Sequence, residues 1–198
     1  MVDAHADRPR HYHTIEHVLC VLDRFDEVAR DVGWDAPREV ALAIVYHDAV
    51  YVAGRGDNEA QSAALAEREI GRWLPKRGID VRRVAGLIEL TASHGQLDPN
   101  VLDGDASHFL DADMAVLGSE PRVYARYHRG VRSELAGVYG EGPYIVGRAR
   151  FLEGLLAGGR IFLSAYFSER LEASARRNIA GELEALRASV AASAASKT

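Results

Sequence analysis

The sequence predicts an all-α fold. Apolar residues recur at helical spacing from end to end, and no segment combines strict apolar-polar alternation with β-branched enrichment and hairpin turn residues. Gly, Pro and Asp/Asn/Ser punctuate the helical runs where helix ends need them. With 198 residues and no linker-like stretch, the chain reads as a single domain over 1–198, a bundle of about seven to nine helices in which 119–190 supplies C-terminal helices packed on the core.

The first helix places Ile15, Val18, Leu19, Leu22, Phe25, Val28, Ala29 and Val32 on one stripe and stops at Gly33, which suits the left-handed position that ends a helix. Cys20 is expected to be a buried small hydrophobe on the apolar side of this helix; as the only cysteine it has no internal disulfide partner. After a connector over 31–36, Pro37 opens a second helix, because a first turn has no use for the missing N–H. That helix runs to His47-Asp48, is apolar nearly all round, and should therefore be central.

A flexible loop over 53–57 leads to a third helix over 59–73, capped by Asp57 or Asn58 and ended by Pro75 and Gly78. A fourth helix over 80–94 rests on Val81, Val84, Leu87 and Ile88. The longest irregular stretch, 95–105, follows, and connections of this length often border a site. Ser107 is the expected cap of a helix over 109–117, with Gly118 behind it. Helices over 120–139, 144–157 and 161–190 complete the bundle, and the Ala/Ser tail 191–198 has too little to pack and is expected to fray.

Composition removes several classes of function. A net charge of −5, with Lys and Arg scattered singly, leaves no electrostatic footprint for a nucleic-acid polymer or an anionic membrane. Residues 1–7 carry acid and no apolar run approaches a membrane span, so neither a signal peptide nor an anchor is expected and the compartment reads as the cytoplasm.

Chemistry concentrates in three apolar runs. His47 and Asp48 sit in Ala43-Ile44-Val45-Tyr46-His47-Asp48-Ala49-Val50-Tyr51, where burial of both groups costs several kcal/mol, roughly 2–7 for an unpaired polar group, unless something compensates them. His13 and His17, four residues apart, share a helix face if the helix includes both. Asp111 and Asp113 lie in a third run, Phe109-Leu110-Asp111-Ala112-Asp113-Met114. Any one of these is more often a satisfied core residue, a cap or a solvated acid than a ligand; three together in core-like runs suit a divalent metal.

Arg10-His11-Tyr12-His13-Thr14-Ile15-Glu16-His17, Tyr46-His47-Asp48 and Asp111-Ala112-Asp113 together resemble the HD superfamily of metal-dependent phosphohydrolases. Asp57-Asn58-Glu59, Ser62-Ala63, Val131-Arg132-Ser133-Glu134 and Ala175-Arg176-Arg177-Asn178 extend the likeness to a family of small bacterial predicted HD phosphohydrolases over nearly the whole chain. The resemblance implies His17, His47, Asp48 and Asp113 as metal ligands, with Asp48 also in the catalytic set and His13 as the acid that protonates the leaving oxygen. It implies one divalent ion per chain, of the Mn, Co, Fe, Ni, Zn or Mg type, and a small phosphorylated metabolite as substrate, a nucleotide being the leading candidate.

Around these, Arg10 is placed to hold phosphate oxygens, Glu59 to orient a ligand or a metal-bound water, and Asp111 to support the neighbouring ligand. His94 matches the place where two-metal HD proteins add histidines, although the next histidine, His108, is distant in sequence; Arg132 and Arg148 are candidates to line the pocket. Two alternatives stand beside this reading: a di-iron HD-type oxygenase, and a non-catalytic nucleotide- or metal-binding regulatory module. The helix carrying Tyr124 and Tyr127, together with the long final helix, offers surfaces for a homodimer.

Overall fold

The computed structural model describes residues 10–195. The N-terminal segment 1–7 and Ser196, Lys197 and Thr198 of the tail lie outside the described residues. Eight α-helices and no strand are present among the described residues: α1 (Ile15–Asp31), α2 (Pro37–Tyr46), α3 (Asn58–Trp73), α4 (Val81–Leu90), α5 (Gly104–Met114), α6 (Pro121–Tyr139), α7 (Glu141–Ala157) and α8 (Ala165–Ala195). None is long and apolar enough to cross a membrane.

Helix α2 is the central element the sequence predicts. Pro37 occupies its first turn, Val40, Ala43 and Ile44 are fully buried, and α1, α3, α4 and α5 all pack on it. Its start is secured from a distance: the buried Asp105 carboxylate accepts the N–H groups of Asp35 and Ala36 at 2.9 and 2.8 Å, supplying partners that the Ala36 cap lacks. Its end is secured by α3. Ser62 Oγ accepts from Val50 N at 3.0 Å and Asn58 Oδ1 from Val52 N at 2.9 Å, so the turn behind Asp48 is tied to the first turns of α3. Asn58 is therefore inside α3 and occupied elsewhere, and Asp57 holds the cap position without accepting a backbone N–H of the helix, its carboxylate taking the Gln61 amide and Arg55 instead.

Helix α1 ends as expected, with Gly33 at φ 87° donating to the Val28 carbonyl, but its buried stripe is rotated. Val18, Val21 and Val28 are buried beside His17, whereas Ile15, Leu19 and Val32 are exposed, and so is Cys20. His17 takes an inward position that an all-apolar stripe would have assigned to its neighbours. The expected burial of Cys20 does not hold for the same reason.

Helix α5 starts earlier than Ser107. Asp103 is its cap, accepting from Ala106 N at 2.8 Å, Ser107 is buried within it, and a 3-10 turn over Ala115–Gly118 replaces the last α-turn. The fourth helix also shortens, ending at Leu90 with a 3-10 turn over Thr91–Ser93, and the irregular stretch that follows carries a second such turn over Pro99–Val101. The last helix runs through Ala195, past the predicted end at Val190. Tyr124 and Tyr127 themselves are buried inside the chain: Tyr124 donates to Glu182 of α8, and Tyr127 accepts from Arg148 of α7.

Asp111 joins two parts of the fold. Its carboxylate accepts the N–H groups of Leu163 and Ser164, each at 2.7 Å, and the Ser164 hydroxyl at 2.6 Å, so it holds the start of α8 against α5. Burial pushes its carboxyl up to about 6 against the pull of those donors. It is a cap and not a supporter of the ligand set. Asp111→Ala strands two buried N–H groups, each costing about 1–3 kcal/mol, and should destabilise the protein by roughly 2–4 kcal/mol in urea unfolding while leaving metal affinity within about twofold.

Candidate metal centre

Four side chains from α1, α5 and the end of α2 converge. His17 Nε2 lies 3.2 Å from His47 Nε2, 2.9 Å from Asp113 Oδ1 and 3.6 Å from Asp48 Oδ2; His47 Nε2 lies 3.1 Å from Asp48 Oδ2 and 3.6 Å from Asp113 Oδ1. An ion with tetrahedral bonds of ~2.0–2.1 Å keeps its ligand atoms ~3.3–3.4 Å apart. His17, His47 and Asp48 bring one donor atom each within 4.8 Å of one another, a group of a composition that could hold a divalent ion, and Asp113 adjoins it through the two imidazoles.

The tautomer of His47 fits as well. Its Nδ1 sits 2.7 Å from the Ile44 carbonyl, which can only accept, so a proton lies on Nδ1, and Nε2 is the nitrogen that would turn a lone pair toward the cluster once the ring is neutral. His94 completes the arrangement from the other side. Its Nε2 is 2.8 Å from Asp113 Oδ2, which engages one carboxylate oxygen and leaves Oδ1 to the cluster.

The electrostatics follow from this crowding. Burial disfavours charge on Asp48, yet the His47 charge beside it holds that carboxyl below the ordinary carboxylate range. Burial likewise raises Asp113, and the hydrogen bonds from His17 and His47 outweigh it. His47 shows the reciprocal effect: burial works against its proton, and the Asp48 charge more than compensates.

His13 stands next to the cluster and not in it. Its Nδ1 pairs with Glu134 Oε2 at 2.7 Å, and its ring stacks on Tyr51 at 4.1 Å between centroids, while Tyr51 donates to the same carboxylate oxygen at 3.1 Å. Its Nε2 has no partner among the described residues, and the side chain lines the cavity that holds the four converging groups. Burial lowers its affinity for a proton, but the Asp48 and Glu134 carboxylates outweigh burial and keep the imidazole above its usual range. Glu134 is itself held down to about 2, since burial is overcome by the His13 bond and by backbone donors.

Those backbone donors explain how the entry segment is built. Glu134 Oε1 accepts the N–H groups of His11, Tyr12 and His13 at 2.7, 2.7 and 3.1 Å, so one carboxylate fixes both the strap before α1 and the ring of His13. One turn before Glu134, Gly130 lets the strap lie against α6: a Cβ there would sit 2.8 Å from the His11 carbonyl oxygen. Glu134 is the site residue that the sequence passes over in favour of Arg132, although it holds His13. Its signal is an acid on the same helical face as Tyr127, Gly130 and Val131, a face that is otherwise buried.

The remaining predicted residues divide. Glu59 lines the cavity, half-buried, with no hydrogen bond or ion pair among the described residues. Arg148 lines it too, but Glu182 takes its Nε and Nη2 at 2.8 and 3.1 Å and Tyr127 Oη takes Nη1 at 3.0 Å, so its charge is already met. Arg10 does not reach the cavity. Its guanidinium donates to the carbonyls of His13, Asp48 and Ala49, tying the strap to the turn that carries Asp48. Arg132 pairs with Glu141 on the surface, and His108 packs among Trp34, Tyr166 and Phe167, away from the converging groups.

The cavity measures about 600 Å³, within the range of small-molecule sites. Compared with known proteins, the chain matches no family model, no curated protein and no solved structure.

Proposed function

We propose that this protein is a metal-dependent phosphohydrolase of the HD type, acting on a small phosphorylated metabolite in the cavity that His17, His47, Asp48 and Asp113 face. The observation that carries the reading is the pairing of a metal-sized cluster with a separate, oriented proton donor on the same cavity: His13, its Nδ1 held by Glu134 and its Nε2 left for a ligand. A site kept only for binding has no use for that donor.

An ion held by the four groups would lower the pKa of a coordinated water and draw charge from a phosphoryl oxygen. His13 supplies the proton that the leaving alkoxide needs, a role worth about 10²–10⁴-fold. The Glu134 carboxylate, with Asp48, favours that proton on the ring against burial, and its bond to Nδ1 fixes the ring's direction. Tyr51 stacks on one face of the ring and so limits its rotation. Glu59 faces the same space as an acceptor for a water or a substrate hydroxyl. Arg10 acts indirectly, as the tie between the His13 strap and the Asp48 turn.

His108, which a site with additional histidines would draw upon, is committed to an aromatic cluster elsewhere; this weighs against the di-iron oxygenase. The test is a nucleotide and phosphoester panel with protein reconstituted in Mn, Co, Fe, Ni, Zn or Mg, and Asp48→Ala as control. We expect metal-dependent phosphate release from at least one member and a loss of at least ~10³-fold in the variant. No turnover across the panel, or equal turnover in the variant, rejects the reading.

A further inference from the structure

We infer that the substrate is a phosphate monoester whose alcohol carries an aromatic ring, and that polyphosphates are excluded. The inference rests on the phosphohydrolase reading and adds the class of substrate.

The cavity has two unlike ends. One is the charged cluster with His13. The other is a wall from α6, α7 and the segment before them, presenting Met114, Val131, Leu135, Tyr139, Tyr144 and Phe151. Val131 and Tyr144 are buried, while Tyr139 and Phe151, both lining the cavity, keep 52 % and 38 % of their whole surface exposed. Burial of a planar apolar group is what such a wall rewards, through the area removed from water and through ring-on-ring contact.

Charge decides how many phosphoryl groups fit. Among the described residues, Arg148 is the one Lys or Arg that lines the cavity, and Glu182 and Tyr127 engage all three of its nitrogens. The two charges of a divalent ion are matched by Asp48 and Asp113, the proton on His13 is paired with Glu134, and Glu59 adds a further negative charge to the wall. A single phosphoryl group could bind beside an ion held by this cluster. Further phosphoryl groups would find Glu59 and no unpaired Lys or Arg among the described residues that line the cavity, and affinity then has to come from the apolar end. In the hydrolysis itself water oxygen bonds to phosphorus, the ester P–O bond breaks, its electron pair stays on the alcohol oxygen, the His13 proton joins that oxygen, and of the two water protons one stays on the phosphate while the other returns to His13.

Two measurements test this. In the first, kcat/KM is compared for 4-nitrophenyl phosphate, adenosine 5′-monophosphate, glycerol 1-phosphate and adenosine 5′-triphosphate, in the parent and in Phe151→Ala. In the second, calorimetric binding of the same compounds to metal-free protein reads the wall without turnover. We expect the aromatic monoesters to exceed both glycerol phosphate and the triphosphate by at least ~10-fold in each measurement, and Phe151→Ala to narrow the aromatic-to-glycerol ratio several-fold through KM. Turnover led by the triphosphate or by glycerol phosphate, or a ratio unmoved in Phe151→Ala, overturns the inference while the phosphohydrolase stands. Absence of turnover on every compound overturns both.

Discussion

Asp113→Asn should abolish tight divalent-metal binding. Its Oδ1 lies 2.9 Å from His17 Nε2 and 3.6 Å from His47 Nε2, and its other oxygen is committed to His94, so an amide in its place keeps the shape and loses the charge that balances a cation. Loss of an outer partner alone costs about 10–100-fold in metal affinity, so loss of a ligand charge should cost at least ~100-fold. Calorimetric titration with Mn or Zn reads the affinity directly. Unfolding gives a second readout: ligand at 100 times its Kd stabilises by about 2.7 kcal/mol, so added metal should raise the unfolding temperature of the parent and leave the variant where it was. Retention of parent affinity in a folded variant would remove Asp113 from the centre. In the parent, affinity should rise with pH, because the proton that the Asp48 charge holds on His47 against burial has to leave before the nitrogen can bind.

Glu134→Gln carries the second large effect, on catalysis and not on the metal. The amide oxygen can still accept from the His11, Tyr12 and His13 N–H groups, so the strap is retained. The negative charge beside His13 Nδ1 is lost, and the imidazole, still subject to burial, gives up its proton at lower pH. With the Asp48 charge matched by a bound ion, Glu134 is the carboxylate left to support the His13 proton. We expect kcat to fall about 10²-fold, the alkaline limb of its pH profile to move to lower pH, and metal affinity to stay within about twofold. An unshifted alkaline limb would mean that His13 is not the acid.

The same pair ties stability to pH with opposite signs. Glu134, held down to about 2, contributes stability that is present above its ordinary value near 4.5 and is lost as pH falls toward 2. His13, held above 6.5, contributes stability that is present below that value and is lost as pH rises through its folded value. Glu134→Gln should weaken both dependences in urea unfolding across pH.

Much of the helical framework is legible because its signals are local. Pro37 in the first turn of α2, Gly33 behind α1 and the apolar run through Ile44 each fix a piece of backbone from a few neighbouring residues. The places where the reading slips are those where a distant residue takes over a local role. Asp105 supplies the partners that the start of α2 lacks, Asn58 holds the Val52 turn, and Asp111 holds the start of α8. An Asp in an apolar run looks alike whether it faces three backbone and hydroxyl donors, as Asp111 does, or three imidazoles, as Asp113 does.

By itself the sequence determined the all-α architecture and the run in which His47 and Asp48 lie, because helical periodicity and an uncompensated polar pair are written into contiguous residues. Only the tertiary structure decided which partners meet them. It turned His17 inward at the expense of Ile15 and Leu19, brought Asp113 and His94 to the same point, and set Glu134 behind His13 across a Gly130 contact. The physical reason is packing: which face of a helix is buried depends on the other helices that cover it, and α6 lies more than a hundred residues from the strap that its glutamate holds.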